Sequence, residues 1–283
     1  RRTAFPSNEG MKLKHLLLTI PLAFTTAFIT THASVQSRTT EDWCRNNGSR
    51  DNRAQHWEIR EFSVPAAGVP LTVDASPNGG IRVQGEARGD IMGRACVSVT
   101  AETEEQARAI AQRIEIIATA DRVSATGPAQ NQLGNREHWS VSYRLTVPTK
   151  TSMSLVSRNG GITISDVDGD ISFRTTNGGV KLARLAGTVR GRTTNGGVDV
   201  DLDGATWNGQ GLDVETQNGG VRMAIPASYS AQLETGTVNG GVKIEFPVTV
   251  EGRRPRQVQA QLGSGGPLIK VRTTNGGVNI RKK

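Results

Sequence analysis

Arg174-Thr175-Thr176-Asn177-Gly178-Gly179-Val180 returns 18 residues later as Arg192-Thr193-Thr194-Asn195-Gly196-Gly197-Val198. The core of this stretch, Asn-Gly-Gly followed by Ile or Val, stands at seven places, beginning at Asn78, Asn159, Asn177, Asn195, Asn218, Asn239 and Asn275. From Asn159 onward the steps are 18, 18, 23, 21 and 36 residues. The period is therefore 18 with insertions, and the longest step has room for a degenerate copy near Gly265-Gly266. A fixed short period marks a stacked repeat architecture.

Aligning the copies on their asparagine gives columns. Three residues after it stand Ile162, Val180, Val198, Val221, Val242 and Val278, and five after it Ile164, Leu182, Val200, Met223, Ile244 and Ile280. Thr163, Lys181, Asp199, Arg222, Lys243 and Asn279 lie between them. This alternation is that of a strand with one buried face. The same alternation precedes the turn, and two residues before each asparagine comes a hydroxyl: Ser157, Thr175, Thr193, Thr216, Thr237 and Thr273. Each unit thus reads as strand, Asn-Gly-Gly turn, strand, looser turn. Asn and Gly suit the turn because both tolerate the left-handed backbone region.

Two architectures can use this unit. Asn-Gly is a strong hairpin signal, and an antiparallel meander satisfies the same parity. Parallel stacking also explains why like sits with like down each column, since equivalent residues of successive coils then lie ~4.8 Å apart. The expected fold is all-β, a parallel β-solenoid over residues 151–283.

Residues 57–150 read as a β-rich cap for that solenoid. Thr103-Glu104-Glu105-Gln106 resembles a capping box, and Ala107, Ile110, Ala111, Ile114 and Ile117 form an apolar helical stripe, which predicts one helix at about 103–117. A solenoid end exposes unpaired edges and open core, so an atypical terminal element is expected there.

Met11, Lys12, Lys14, the apolar run Leu16–Ile29 and then Thr31-His32-Ala33 read as a secretory leader cut after Ala33, with residues 1–10 as upstream translated sequence. Residues 34–56 form an N-terminal extension. The expected location is the periplasm or the outside of a bacterial envelope, with no transmembrane segment in the mature chain. Cys44 and Cys96 are the only cysteines, and export favours their pairing as a disulfide over two free thiols.

The chain of 283 residues has 33 glycines, 35% hydrophobic and 4% aromatic residues. Turns are plentiful and bulky side chains scarce, which disfavours a dinucleotide-binding enzyme fold or a helical bundle. The glycines lack the period of collagen. The repeated Asn-Gly-Gly-Val/Ile turn, the lead-in Tyr143-Arg144-Leu145-Thr146-Val147-Pro148 and the leader together resemble the bacterial putative-adhesin family of β-strand repeat proteins, whose function is unknown. The resemblance covers about residues 57–283. It implies a right-handed β-solenoid in or beyond the envelope, and it brings no catalytic residue with it.

Past the leader only His56 and His138 remain, without a nucleophile elbow or a metal-ligand spacing. Asp199, Asp201 and Asp203, like Asp166, Asp168 and Asp170, stand near turns as solvated acids. Gln210 occupies the position where an EF-hand needs its bidentate Glu. No metal, cofactor or catalytic residue is expected. Arg174 and Arg192 should stack as like charges with Glu215 on the next coil, a face that a polyanion would relieve. Arg253, Arg254 and Arg256 in the longest insertion form a second candidate patch for anionic glycan or lipid headgroups. Trp207, in the insertion Asp203–Gly211, is either a sugar-stacking platform or folded back over the coil. Nucleic acid is a poor partner, because no basic stripe interleaves with aromatics. The expected function is a non-enzymatic, exported binding scaffold whose partner is a protein or an anionic polysaccharide. A lyase-like glycan enzyme and an envelope-stress or assembly module are the alternatives. Oligomeric state is not legible.

Overall fold

A computed structural model describes residues 42–45, 53–246 and 256–283. The leader, most of the extension, Arg253 and Arg254 lie outside the described residues.

The alternating segments form strands that assemble into two ten-stranded sheets, mostly parallel, neither closed into a barrel. Each Asn-Gly-Gly turn joins a strand of one sheet, here the leading sheet, to a strand of the other, the trailing sheet. Asp168–Asn177 leads to Val180–Ala183, and Ala186–Asn195 leads to Val198–Asp201. In register, Val180 lies against Val198 and Ile162, while Thr175 lies against Thr193. Equivalent residues of neighbouring units therefore share a column, and the meander is excluded. The inward columns form one thin core in which Ile162, Val180, Val198, Val221 and Val278 are all buried. Volume is matched between layers: a Cβ on Gly191 would meet the ring of Phe173, one layer away, at 2.5 Å.

The turn is held by side chains between layers. Each asparagine donates from Nδ2 to Oδ1 of the neighbouring one: Asn159 to Asn78, Asn177 to Asn159 and Asn195 to Asn177, each at 2.7 Å, and Asn218 to Asn195 at 2.9 Å. The buried hydroxyl column works beside this ladder, Thr175 and Thr193 donating to the Gly160 and Gly178 carbonyls at 2.8 Å. The left-handed role expected for the asparagines is not observed. Asp166 and Arg184 are the non-glycine residues with positive φ among those described. The asparagines recur because a primary amide both donates and accepts, so it can form an endless ladder. The glycine that follows is required by close approach, for a Cβ on Gly178 would lie 2.1 Å from the Gly160 carbonyl oxygen.

Stacking order departs from chain order. The last unit, Leu268–Asn275 and Val278–Lys282, lies between the Asn218 unit and the Asn239 unit, parallel to both. No degenerate copy occurs at Gly265-Gly266. The long step instead holds the strand Gln257–Leu262, which runs antiparallel along the outer side of Ala231–Asn239 and forms the edge of the leading sheet.

At the other end, the Asn78 unit, Leu71–Asp74 and Ile81–Glu86, stacks on the Asn159 unit. His138–Pro148 runs parallel to Ile81–Glu86, and Asp90–Ala101 and then Ala54–Pro65 add antiparallel strands. The expected helix is shorter than the stripe implied. It spans Glu104–Gln112, with Thr103 and Gln106 forming the reciprocal capping box. Ile114 is buried beyond its end, and Ile117 is an exposed residue of the strand Glu115–Ala118. A run rich in isoleucine prefers the pleated surface, and here it pairs with Arg122–Thr126. Cys44, in the short helix Asp42–Arg45, is bonded to Cys96 with a Cα–Cα distance of 5.5 Å.

Candidate functional site

The outward residues of the leading sheet form rows fixed by register. Arg174, Arg192, Glu215 and Arg272 occupy one column across four successive layers. Ser172, Arg190, Asp213, Lys270 and Glu234 occupy the column two residues earlier, across five. Arg174, Arg190 and Arg192 are all exposed. They surround a shallow hollow of about 310 Å³ with Asp213, Glu215 and Arg272. A second hollow of about 430 Å³ adjoins it, where Arg174, Arg192 and Glu215 meet the polar side chains Thr176, Thr194 and Gln217.

Charge is unevenly compensated along this face. Lys270 is 3.1 Å from Glu234, and Arg272 reaches the same carboxylate at 3.9 Å. Among the described residues, Arg174, Arg190 and Arg192 enter no ion pair. Neighbouring layers ~4.8 Å apart set the Arg174 and Arg192 positions side by side, and like charges directly opposite one another are destabilising. An anionic chain lying across the layers replaces that repulsion with attraction.

The trailing sheet behaves differently. Its outward residues Thr163, Lys181, Asp199, Arg222 and Asn279, with Ala183, Asp201, Ala224 and Arg281, line a hollow of about 450 Å³. Here the acids Asp166, Asp199 and Asp201 are each paired with a basic side chain, while Lys181 and Arg281 enter no ion pair among the described residues. Arg222 makes a two-pronged contact with Asp199 at 2.6 and 3.2 Å, and this hydrogen bonding raises the guanidinium pKa. Lys283 lies 2.7 Å from Asp201 and 3.7 Å from Asp203. Arg184 grips Asp166 with two nitrogens at 2.5 and 2.6 Å. That contact, together with a hydrogen bond from Gln84, holds the Asp166 carboxyl below the usual range. Asp166, Asp199, Asp201 and Asp203 thus serve as partners for basic side chains, whereas Asp168 and Asp170 enter no ion pair among the described residues. Among the described residues no three His, Cys, Asp or Glu side chains converge as a metal site would need.

Trp207 is not a stacking platform. Its side chain is 4% exposed and its indole N–H donates to the Gly187 carbonyl at 2.9 Å. The indole covers the end of the core where the insertion crosses it, since a buried tryptophan needs an acceptor for its N–H. Arg256 is exposed beside the start of the edge strand, far along the stack from Arg174; Arg253 and Arg254 lie outside the described residues. Arg190 was not singled out from the sequence, yet it shares the outward parity of Arg192 two residues on. That spacing is the signal that could have found it.

Stacked strand-turn-strand layers, a cross-layer asparagine ladder and an uncompensated basic row together define a two-sheet repeat protein with a polar exposed face. Residues 140–281 match the model of the Toastrack DUF4097 family, and the chain belongs to that family. Among solved structures, a putative cell adhesion protein from Clostridium sporogenes is 15% identical, with 81% of this chain and 100% of that one covered, at a TM-score of 0.44. A putative adhesin from Bacteroides fragilis is 10% identical, covering 80% and 97%, at 0.31. A putative lipid binding protein from Parabacteroides distasonis is also 10% identical, covering 80% and 97%, at 0.27. No curated protein matches the sequence.

Proposed function

We propose that this chain is an exported, non-enzymatic β-solenoid, wound in the right-handed sense, that binds an anionic polysaccharide at the bacterial cell envelope. Residues 57–150 cap the solenoid and residues 151–283 build it. The binding face is the leading-sheet surface around Arg174, Arg190 and Arg192. One observation carries the reading: these three guanidinium groups stand on two adjacent layers, exposed and without an ion-pair partner among the described residues, whereas Asp166, Asp199 and Asp201 on the opposite sheet are paired. Guanidinium groups suit this task because their planar donors match carboxylate and phosphate oxygens two at a time. The Cys44–Cys96 bond fits an oxidising compartment. Arg253, Arg254 and Arg256 are a second, independent contact in the same proposal.

The test is retention on an immobilised sulfated polysaccharide as salt is raised. The triple variant Arg174→Gln, Arg190→Gln, Arg192→Gln should elute at lower salt than the native chain, because exposed charge attraction is screened. The pair Lys181→Gln, Arg281→Gln on the trailing sheet should leave elution where it was. Unchanged retention of the triple variant sinks the assignment of this face.

A further inference from the structure

The seven Asn-Gly-Gly turns share one reactive sequence but not one environment; two further Asn-Gly pairs, Asn47-Gly48 and Asn208-Gly209, lie outside the ladder. Conversion of asparagine at Asn-Gly requires the glycine amide nitrogen to attack the asparagine side-chain carbon Cγ. The N–Cγ bond forms, the Cγ–Nδ2 bond breaks, and ammonia leaves from a cyclic succinimide. Water then opens either carbonyl of the ring, giving aspartate or isoaspartate. The net change is asparagine plus water to an acidic residue plus ammonia, without oxidation or reduction.

The stack obstructs this attack. In five turns the glycine N–H donates to the asparagine carbonyl of the next layer: Gly79 to Asn159 at 3.2 Å, Gly178 to Asn195 at 2.9 Å, and Gly196 to Asn218, Gly219 to Asn275 and Gly276 to Asn239 at 3.0 Å. The nucleophile is thereby turned away from its own side chain. At Asn159 the side chain itself is clamped, donating to Asn78 and accepting from Asn177, both at 2.7 Å.

Asn239 stands at the outer end of the ladder. It donates to Asn275 at 2.7 Å, and among the described residues no rung lies beyond it. The edge strand pairs with Ala231–Asn239 as far as Gly236, opposite Gln257, and the Thr237 N–H donates to the Arg256 carbonyl just beyond it at 2.7 Å. Among the described residues nothing donates to Asn239 Oδ1 and nothing accepts from the Gly240 N–H. Asn239, Gly240 and Gly241 are all exposed, and a Cβ on Gly241 would meet nothing within 4 Å.

We propose that Asn239-Gly240 is a self-modification site of this protein, deamidating through a succinimide while the stack shields the other six turns. The product places a carboxylate at the open end of the ladder, and its isoaspartate form also lengthens the backbone there by one methylene. The site is independent of the polysaccharide reading.

Native chain is incubated at mildly alkaline pH, and peptide-resolved mass spectrometry follows deamidation at each of the seven asparagines, with isoaspartate distinguished by fragmentation. A parallel sample is held in denaturant. In the folded chain Asn239 should react roughly tenfold or more faster than any other rung, the difference expected when a hydrogen bond or two is missing. In denaturant the seven rates should converge, and Asn239→Gln should remove the fast signal of the ladder without creating another among its rungs. Equal rates across the folded ladder, or an Asn239 as slow as Asn177 in a chain that reacts freely when denatured, overturns the proposal.

Discussion

Asn275 donates to Asn218 at 2.8 Å across 57 residues of sequence, and in turn accepts from Asn239, which precedes it in the chain by 36. The final repeat therefore occupies an interior slot. Every outward row beyond the Asn218 layer is set by this interleaving, including the approach of Lys270 and Arg272 to Glu234. Stacking in chain order would put Gly236 beside Glu215. The observed order puts Arg272 there instead.

The asparagine column is an amide ladder, not a run of left-handed residues, and substitution distinguishes the two. Asn177→Gly removes one donated and one accepted ladder bond and adds backbone freedom, so thermal or denaturant unfolding should show a loss of about 1–2 kcal/mol. A left-handed asparagine would tolerate glycine without loss, so an unchanged or raised midpoint returns Asn177 to that role.

Acid should uncover the Asp166–Arg184 contact. The carboxyl is depressed in the folded state, first by the Arg184 hydrogen bonds. Its stabilisation is therefore full above the unfolded value of about 3.9 and is lost as pH falls through the folded value. Arg184→Met keeps the positive φ of 51° at this position, so backbone strain cancels in the comparison. The melting-temperature gap between native chain and variant should be widest near neutrality and close in acid. A gap that stays constant would show that the ion pair contributes nothing.

Cys44 and Cys96 close a loop of 52 residues that fastens the short helix Asp42–Arg45 to the strand Asp90–Ala101. Chain-entropy arguments put such a closure at about 4 kcal/mol. Reduction, or Cys44→Ser with Cys96→Ser, should lower unfolding stability by a few kcal/mol at most. Mass spectrometry finding two free thiols in the oxidised protein would contradict the bond.

Much of this fold is legible from residue identity, for a definite reason. Period-two alternation names the inward positions, and the matching of Val180 with Val198 and of Thr175 with Thr193 reveals parallel layers. The order of layers is not legible. Val278 and Ile280 fill their columns as well as Val242 and Ile244 do, so side-chain chemistry does not choose between slots. In the observed order Gln257–Leu262 takes the outer side of Ala231–Asn239 as an antiparallel strand. Arg174 and Arg192 were legible as a stacked pair because they belong to the exact repeat. Trp207 was ambiguous because an indole is both a flat stacking surface and a core filler, and only the path of its insertion, ending at the Gly187 carbonyl, decides which.

Paired cysteines across neighbouring layers test the stacking order most directly. Glu215 and Arg272 are register partners on exposed positions, so their backbones lie ~4.8 Å apart, while Glu215 and Gly236 are separated by two layers, ~10 Å. Glu215→Cys with Arg272→Cys should crosslink efficiently under mild oxidation in the folded protein, and Glu215→Cys with Gly236→Cys should not, because a disulfide needs Cα atoms within about 7 Å. Efficient crosslinking of the second pair and failure of the first would restore chain-order stacking and dismantle the surface described above.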